Sequence, residues 1–193
     1  MKKIIVFFII FLFTINVSAF NKNDKITVTL NKCVDGDTAI FNYKNEEMKV
    51  RFLAIDTPEL KDDKEKIIKY GNEAKDFTCN KLKNAKKIVI EFDPNSDIED
   101  KYGRYLGWIF VDDKLLQKEI VSKGYAKVAY LYGDYKYTDE LQVAETHARK
   151  NKLKIWSEDK SPTLYQIILI IIFIILILII KPKKKKRRKK NIG

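Results

Sequence analysis

The segment Leu164–Ile180 limits most strongly how this chain can be organised. Its 17 residues include one polar side chain, Gln166, near the start. A helix on the surface of a water-soluble domain needs a polar face, and this run has none from Ile167 onward. At about 1.5 Å of rise per residue it is at the short limit for the apolar core of a bilayer. The run therefore predicts a transmembrane helix.

Both ends of the chain carry targeting patterns. Residues 1–19 combine a basic start, an apolar run and small residues up to Ala19, which predicts a secretory signal peptide cleaved there. An uncleaved signal anchor is the alternative. The basic residues 181–193 predict a tail that stays in the cytoplasm. These patterns place one domain, residues 20–159, outside the cytoplasm, with 160–163 as a tether to the membrane.

The net charge of +12 does not by itself indicate a nucleic-acid partner. Eleven of the 38 lysines and arginines lie in the two terminal segments, and the other 27 nearly balance the 26 acidic residues. The excess of positive charge therefore belongs to the ends of the chain. A function in nucleic-acid binding has to be argued from particular residues rather than from the overall charge.

The middle of the chain has the pattern of a small β-rich domain. Alternating branched and polar residues predict five strands. These strands are 26–33, 38–43, 48–55, 86–92 and 105–111. Helical spacing predicts three helices, one of about three turns from Gly71 and two at 114–124 and 138–153, the last capped by Thr138. This order predicts an α+β fold, a five-stranded OB-fold Greek-key β-barrel with three α-helices.

The two cysteines, Cys33 and Cys79, leave two alternatives open. Both lie in the part of the chain that is predicted to be exported, and that compartment allows a disulfide. Two buried free thiols are the competing interpretation, because the sequence does not show that the two residues lie within reach of each other.

Charged residues gather at three predicted strand ends. The groups are Asp35-Gly36-Asp37, then Arg51 with Asp56-Thr57-Pro58-Glu59, then Lys101-Tyr102-Gly103-Arg104. Each group alone is typical of an ordinary turn. In this order and spacing they resemble the staphylococcal nuclease (thermonuclease) family.

The resemblance covers about residues 26–159. The matching words are DGDT at 35–38, R…DTPE at 51–59, KYG.EA at 69–74, NAKKI at 84–88, DKYGR at 100–104, AKVAY.Y at 126–132 and IWSED at 155–159. The segment between Tyr132 and Leu141 departs from the family pattern. The resemblance implies the same barrel, Ca²⁺-dependent cleavage of DNA and RNA, and products with 3′-phosphates.

The chemistry of phosphodiester hydrolysis fits these residue types. Charge builds up on the phosphoryl oxygens in the transition state, so catalysis needs a cation, guanidinium donors and an oriented water. Asp37 and Asp56, with the carbonyl of Thr57, are oxygen ligands that suit Ca²⁺ rather than Zn²⁺. Arg51 and Arg104 can hold the phosphate as bidentate donors.

The resemblance implies the remaining roles. Glu59 acts as the general base or orients the water. The residues expected to bind substrate, through phosphate contacts or stacking on bases, are Lys101, Tyr102, Tyr130 and Tyr132. Core packing is the alternative for Tyr130. No protein partner is predicted, and the chain is expected to be a monomer.

Two other acid–base residues have plainer interpretations. Asp35 is either a neighbour of the metal ligands or simply a turn residue. His147, the only histidine, falls off the apolar face of the last predicted helix and is expected on the surface.

One spacing does not fit a regular strand. Arg51 and Asp56 are an odd number of residues apart, so a straight strand would send their side chains to opposite faces. The hypothesis of a shared site therefore predicts a bend or a bulge between them.

A barrel that binds nucleic acid without cutting it is the alternative function. The carboxylates distinguish the two hypotheses. A pure binder does not need Asp37, Asp56 and Glu59, and their charges would repel phosphate.

Overall fold

The computed structural model describes residues 20–62, 64, 68–157 and 164–180. The predicted signal peptide, tether and basic tail (1–19, 160–163 and 181–193) lie outside the described residues. The described residues divide into two units, one up to Ser157 and one from Glu158 onward, and each is described by itself.

Five of the eight strands described in the first unit close into a barrel. The eight strands are β1 (Lys25–Cys33), β2 (Thr38–Tyr43), β3 (Glu46–Phe52), β4 (Ile55–Asp56), β5 (Ile88–Glu91), β6 (Tyr105–Val111), β7 (Lys114–Leu115) and β8 (Lys127–Val128). The main sheet has the order β3-β2-β1-β5-β6-β7, and β3 also pairs with β6 in parallel. This second pairing closes β1, β2, β3, β5 and β6 into the predicted five-stranded barrel of the α+β class.

The first unit also contains the three predicted α-helices. They are α1 (Gly71–Lys83), α2 (Leu116–Ser122) and α3 (Thr138–Lys150), and a 3₁₀ turn at Lys154–Trp156 follows. The predicted helix 114–124 is shorter in the structure because its first two residues pair with β6 as β7. The prediction that Thr138 caps α3 is wrong. Tyr137 occupies the N-cap position, and the buried Thr138 hydroxyl has no hydrogen-bond partner among the described residues.

Alternation along the strands separates an apolar interior from a polar exterior. Residues such as Phe41, Val50, Phe52, Ile90 and Trp108 are fully buried inside the barrel. The residues between them point outward, as the two-residue period of a strand requires. Arg51 is one of these, and it lies opposite Thr38 of β2.

The bend predicted between Arg51 and Asp56 is confirmed. The predicted strand 48–55 is interrupted, because β3 ends at Phe52 and the short strand β4 begins at Ile55. Between them Ala54 has a φ of 60°, in the left-handed region that few non-glycine residues adopt. The turn brings Arg51 and Asp56 to the same side of the sheet.

The structure decides the question that the two cysteines left open. Cys33 at the end of β1 is disulfide-bonded to Cys79 in α1, with a Cα–Cα distance of 5.8 Å. That separation lies in the ordinary range for a disulfide.

The second unit contains one described helix, α4 (Leu164–Ile180). Its side chains from 167 to 177 are exposed. Across the residues that the structure describes, no helix is both long enough and apolar enough to cross a membrane.

Candidate active site

Asp37 is the buried carboxylate at the centre of the candidate site. Its Oδ2 accepts hydrogen bonds from the backbone N–H of Thr57 at 2.8 Å and from the Thr57 hydroxyl at 2.9 Å. Its Oδ1 lies 2.6 Å from Nη1 of Arg51. Burial raises the pKa of Asp37 to about 6, although the Arg51 charge opposes this shift and the nearby Asp35 carboxylate adds to it.

Arg51 joins two carboxylates that are distant in the sequence. Besides the ion pair with Asp37, its Nη2 lies 3.5 Å from Oδ1 of Asp56. The approach of Nη1 to Asp37 is close in distance but not aligned as a hydrogen bond, and this buried Nη1 has no hydrogen-bond acceptor among the described residues. In this structure the guanidinium is therefore paired with both carboxylates.

Asp56 lies at the edge of the cluster, with 21% of its side chain exposed. Its Oδ2 pairs with Nζ of Lys127 at 3.0 Å, and its Oδ1 accepts a hydrogen bond from Tyr130 at 3.5 Å. The hydrogen bond and charge of Asp56 raise the pKa of Lys127. Lys127 was not predicted as a site residue, although it belongs to the word AKVAY.Y, and the pairing of β4 with β8 places it opposite Asp56.

Arg104 is held at the start of β6 by a carboxylate of its own. Its Nε and Nη2 each lie 2.6 Å from Oδ2 of Asp100, and its backbone N–H donates to Oδ1 of Asp100 at 3.0 Å. Burial alone would raise the pKa of Asp100, but the hydrogen bonds from Arg104 and the Tyr102 backbone hold it below its usual value. β6 runs parallel to β3, and Leu106 pairs with Arg51. Arg104 therefore precedes the strand partner of Arg51 by two residues.

Glu59 is exposed, three residues beyond Asp56. Within the residues that the structure describes, its carboxylate has no hydrogen-bond or ion-pair partner. Its backbone is packed tightly against the start of α1, because a Cβ added at Gly71 would lie 2.2 Å from the Glu59 carbonyl oxygen. The loop is thus held in place while its carboxylate stays accessible.

The three tyrosines predicted to bind substrate lie on the surface. Tyr102, Tyr130 and Tyr132 are 72%, 51% and 84% exposed, so core packing is not the role of Tyr130. The Tyr130 ring centroid lies 5.5 Å from the guanidinium carbon of Arg51 and 6.4 Å from the ring of Tyr132. Lys101 is exposed, with its Nζ 5.0 Å from the Tyr102 ring centroid. Flat, exposed rings beside cations are suited to stacking on nucleobases.

Comparison with known proteins identifies the family. Residues 49–158 match the family model described as Staphylococcal nuclease homologue. The chain belongs to the staphylococcal nuclease family. This confirms the resemblance read from the sequence motifs.

Individual relatives of this nuclease family are similar over most of the chain. The chain is 39% identical over 141 residues to "Endonuclease YncB" of Bacillus subtilis, covering 72% of this chain and 66% of that protein. It is 40% identical over 135 residues to "SPbeta prophage-derived endonuclease YokF" of the same organism, covering 69% of this chain and 45% of that protein. It is 31% identical over 137 residues to "Thermonuclease" of Staphylococcus hyicus, covering 71% and 79%. The chain thus spans less than two thirds of the length of the two Bacillus relatives.

Within this nuclease-family fold, the predicted site residues fall into two sets. The structure brings Asp37, Arg51, Asp56, Thr57 and Tyr130 into direct contact. Tyr132 contacts this cluster through the ring of Tyr130, whereas Glu59, Lys101, Tyr102 and Arg104 have no contact with it among the described residues, although strand register brings Arg104 near Arg51. Asp35 accepts a hydrogen bond from the Asp37 backbone N–H at 3.0 Å, and His147 is exposed as predicted.

The oxygen atoms of the cluster suit a hard cation. Its carboxylates are those of Asp37 and Asp56, and no His or Cys takes part, which favours Ca²⁺ or Mg²⁺ over Zn²⁺. Among the residues that the structure describes, there is no group of three or more His, Cys, Asp or Glu side chains placed to hold a metal ion. Ca²⁺ takes six to eight oxygen ligands, so two carboxylates alone do not complete such a site.

Proposed function

We propose that this chain is a Ca²⁺-dependent nuclease that hydrolyses phosphodiester bonds in DNA and RNA. The observation that carries the proposal is the cluster formed by the Arg51 guanidinium with the carboxylates of Asp37 and Asp56. The names endonuclease and thermonuclease, borne by the relatives, support the same class of reaction.

Asp37, Asp56 and the Thr57 carbonyl would hold the cation. When bound, Ca²⁺ supplies positive charge to the phosphoryl oxygens and so stabilises the transition state. Both carboxylates are paired with Arg51 or Lys127 in the structure. A bound cation would compensate the same two charges, which would leave these basic groups available to a phosphate.

Arg51 and Arg104 bind the non-bridging phosphate oxygens in this proposal. Guanidinium groups grip more strongly as negative charge builds up on those oxygens, so their contribution is greatest in the transition state.

Glu59 would position the attacking water and accept its proton. The water oxygen forms a bond to phosphorus, the bond between phosphorus and the 5′ oxygen breaks, and the 5′ oxygen takes a proton from solvent. The products are a 3′-phosphate and a 5′-hydroxyl. The carboxylate is accessible and has no partner among the described residues. This suits a general base, because a new water molecule has to reach it in each catalytic cycle.

The exposed residues around the cluster would bind single-stranded substrate. Tyr102, Tyr130 and Tyr132 offer faces for stacking, and Lys101 offers a charge for a neighbouring phosphate. Stacking on aromatic rings tolerates every base, so we expect broad sequence specificity and activity on both DNA and RNA.

We further propose that the protein is exported and anchored at the cell membrane as a monomer. Support comes from the sequence alone, namely the signal-peptide pattern of 1–19, the apolar run Leu164–Ile180 and the basic residues after it. Cell fractionation with an epitope-tagged chain tests this. Recovery of the protein in the soluble cytoplasmic fraction would contradict it.

A cleavage assay tests the enzymatic proposal. Purified full-length protein is incubated with single-stranded DNA and with RNA, in Ca²⁺ and in excess EGTA. We expect both substrates to be cut in Ca²⁺ only, and Asp56→Asn to abolish cutting. The matched control is Asp113→Asn, an exposed turn residue whose carboxylate lies 3.6 Å from Nζ of Lys87. Equal cutting in EGTA would contradict the role of calcium, and binding without cutting would favour the binding-module hypothesis.

A further inference from the structure

The turn that carries Asp37 is fastened to α1 by two neighbouring residues of that helix. Cys79 forms the disulfide with Cys33, at the end of β1 just before the turn. The preceding residue, Thr78, is fully buried and donates its hydroxyl to the carbonyl oxygen of Gly36 at 2.7 Å. Both links therefore hold the same turn from the same place on α1.

The same turn also packs against Thr57, the residue that orients Asp37. A Cβ added at Gly36 would lie 2.8 Å from both Oγ1 and Cγ2 of Thr57, so the Gly36 backbone and the Thr57 side chain touch. Thr57 donates both hydrogen bonds to Oδ2 of Asp37. A continuous chain of contacts thus runs from α1 through Gly36 and Thr57 to the Asp37 carboxylate.

We propose that the Cys33–Cys79 disulfide, together with Thr78, positions Asp37 for calcium, so that calcium affinity depends on the oxidation state of the protein. This inference rests on the proposed function, because it assigns a regulation to the same site. Reduction by a small dithiol transfers two electrons and two protons to the S–S bond. The bond is replaced by two thiols, and the dithiol becomes a cyclic disulfide.

Without the disulfide, one of the two described links between α1 and the turn remains. It is the hydrogen bond from the Thr78 hydroxyl to the Gly36 carbonyl. The turn then gains freedom to move away from Thr57, and the ligand geometry of Asp37 loosens. Residues that support a metal ligand from outside typically contribute about 10- to 100-fold in metal affinity. The reduced protein is therefore expected to bind Ca²⁺ about tenfold or more weakly.

The dependence has a consequence for a nuclease made inside a cell. The cytoplasm keeps thiols reduced, whereas exported proteins form disulfides. A chain that requires the disulfide for calcium binding would be weakly active during synthesis and fully active after export. The nucleic acid of the producing cell would be spared.

Calcium titration of the full-length protein tests the inference. Isothermal titration calorimetry compares the oxidised protein, the protein reduced by a dithiol, and the double variant Cys33→Ser/Cys79→Ser. Hydrogen exchange of the backbone amides at 34–38 is measured on the same samples without calcium. We expect weaker calcium binding and faster exchange at 34–38 in both disulfide-free forms, with cleavage restored by high calcium concentrations.

A second variant keeps the test decisive if the double variant does not fold. Thr78→Val retains the disulfide and nearly the same volume but removes the hydrogen bond to Gly36. The control is Thr146→Val, which makes the same change at an exposed hydroxyl that donates to the Gln142 carbonyl within α3 at 2.8 Å. We expect a severalfold loss of calcium affinity in Thr78→Val and none in the control.

The outcomes separate this inference from the proposed function. Unchanged calcium affinity and exchange at 34–38 after reduction and in Thr78→Val would overturn the inference, even if the melting temperature falls. If the oxidised wild-type protein neither binds calcium nor cuts DNA, the proposed function itself fails.

Discussion

Replacing Arg51 with Lys tests the phosphate clamp while preserving the local charge. The guanidinium spans two carboxylates, with Nη1 2.6 Å from Asp37 and Nη2 3.5 Å from Asp56. A lysine ammonium is a single point of charge and has no planar fork. It can pair with one of the two carboxylates but cannot also present a second, parallel donor to a phosphate oxygen.

The expected loss of activity is large and the expected loss of stability small. Removing one preorganised donor to developing charge lowers kcat by about 10²- to 10³-fold, or roughly 3–4 kcal/mol. Leaving a buried Asp37 without any cation would cost about 3–5 kcal/mol of folding free energy. Lysine keeps the charge, and Lys127 still pairs with Asp56 at 3.0 Å. We therefore expect Arg51→Lys to lower the free energy of unfolding by at most about 1.5 kcal/mol. That is a decrease of about 3–6 °C in Tm.

The assay measures kcat and KM on single-stranded DNA at saturating calcium, and Tm by calorimetry. The control is Arg149→Lys, which makes the same change where the arginine pairs with Glu145 at 3.2 Å and stacks on Trp156. We expect kcat to fall only in Arg51→Lys. A kcat within threefold of the wild-type value would refute the clamp, and a Tm loss as large as that of Arg51→Ala would refute the stability argument.

Other changes separate catalysis, binding and stability. Glu59→Gln should lower kcat at least about 100-fold with an unchanged Tm, because the carboxylate is exposed; near-normal turnover would remove its role as base. Tyr132→Ala should raise KM by about 5-fold or more, since stacking contributes about 1–3 kcal/mol per base, again without a Tm change; an unaltered KM would exclude stacking there. Burial would raise the pKa of Glu91, but hydrogen bonds from Lys136 and Lys25 outweigh it and lower the pKa. The ionised Glu91 carboxylate therefore stabilises the fold at pH values above its pKa in the unfolded chain, about 4.3. This stabilisation is lost as the pH falls through its lower pKa in the folded protein. Glu91→Gln should lower Tm at pH 7, and this deficit should shrink as the pH is lowered from the unfolded pKa through the lower folded one; a deficit that does not change with pH would contradict the assignment.

The barrel could be predicted from the sequence because its strands carry a local signal. Alternating residues in β1 and a continuous apolar run in β6 marked these strands without knowledge of their partners. The break between β3 and β4 carried no such signal, because Ala54 is not a residue type that marks a left-handed turn. It was inferred only from the requirement that Arg51 and Asp56 share a site.

Candidate site residues could be predicted from the sequence where they lie within short, contiguous motifs. Residues within DGDT, DTPE and DKYGR were found because the words are short and ordered. Lys127 was missed because its contact with Asp56 depends on the pairing of two-residue strands that are distant in the sequence. The disulfide stayed open for the same reason, since the approach of Cys33 to Cys79 depends on where α1 packs.

A crystal structure with Ca²⁺ and a dinucleotide carrying an uncleavable phosphonate linkage tests the central claim most directly. We expect the cation about 2.3–2.6 Å from oxygens of Asp37 and Asp56, with the phosphonate oxygens bound by Arg51 and Arg104 and Glu59 facing the phosphorus. A cation bound elsewhere, or a phosphonate that touches neither arginine, would contradict the account.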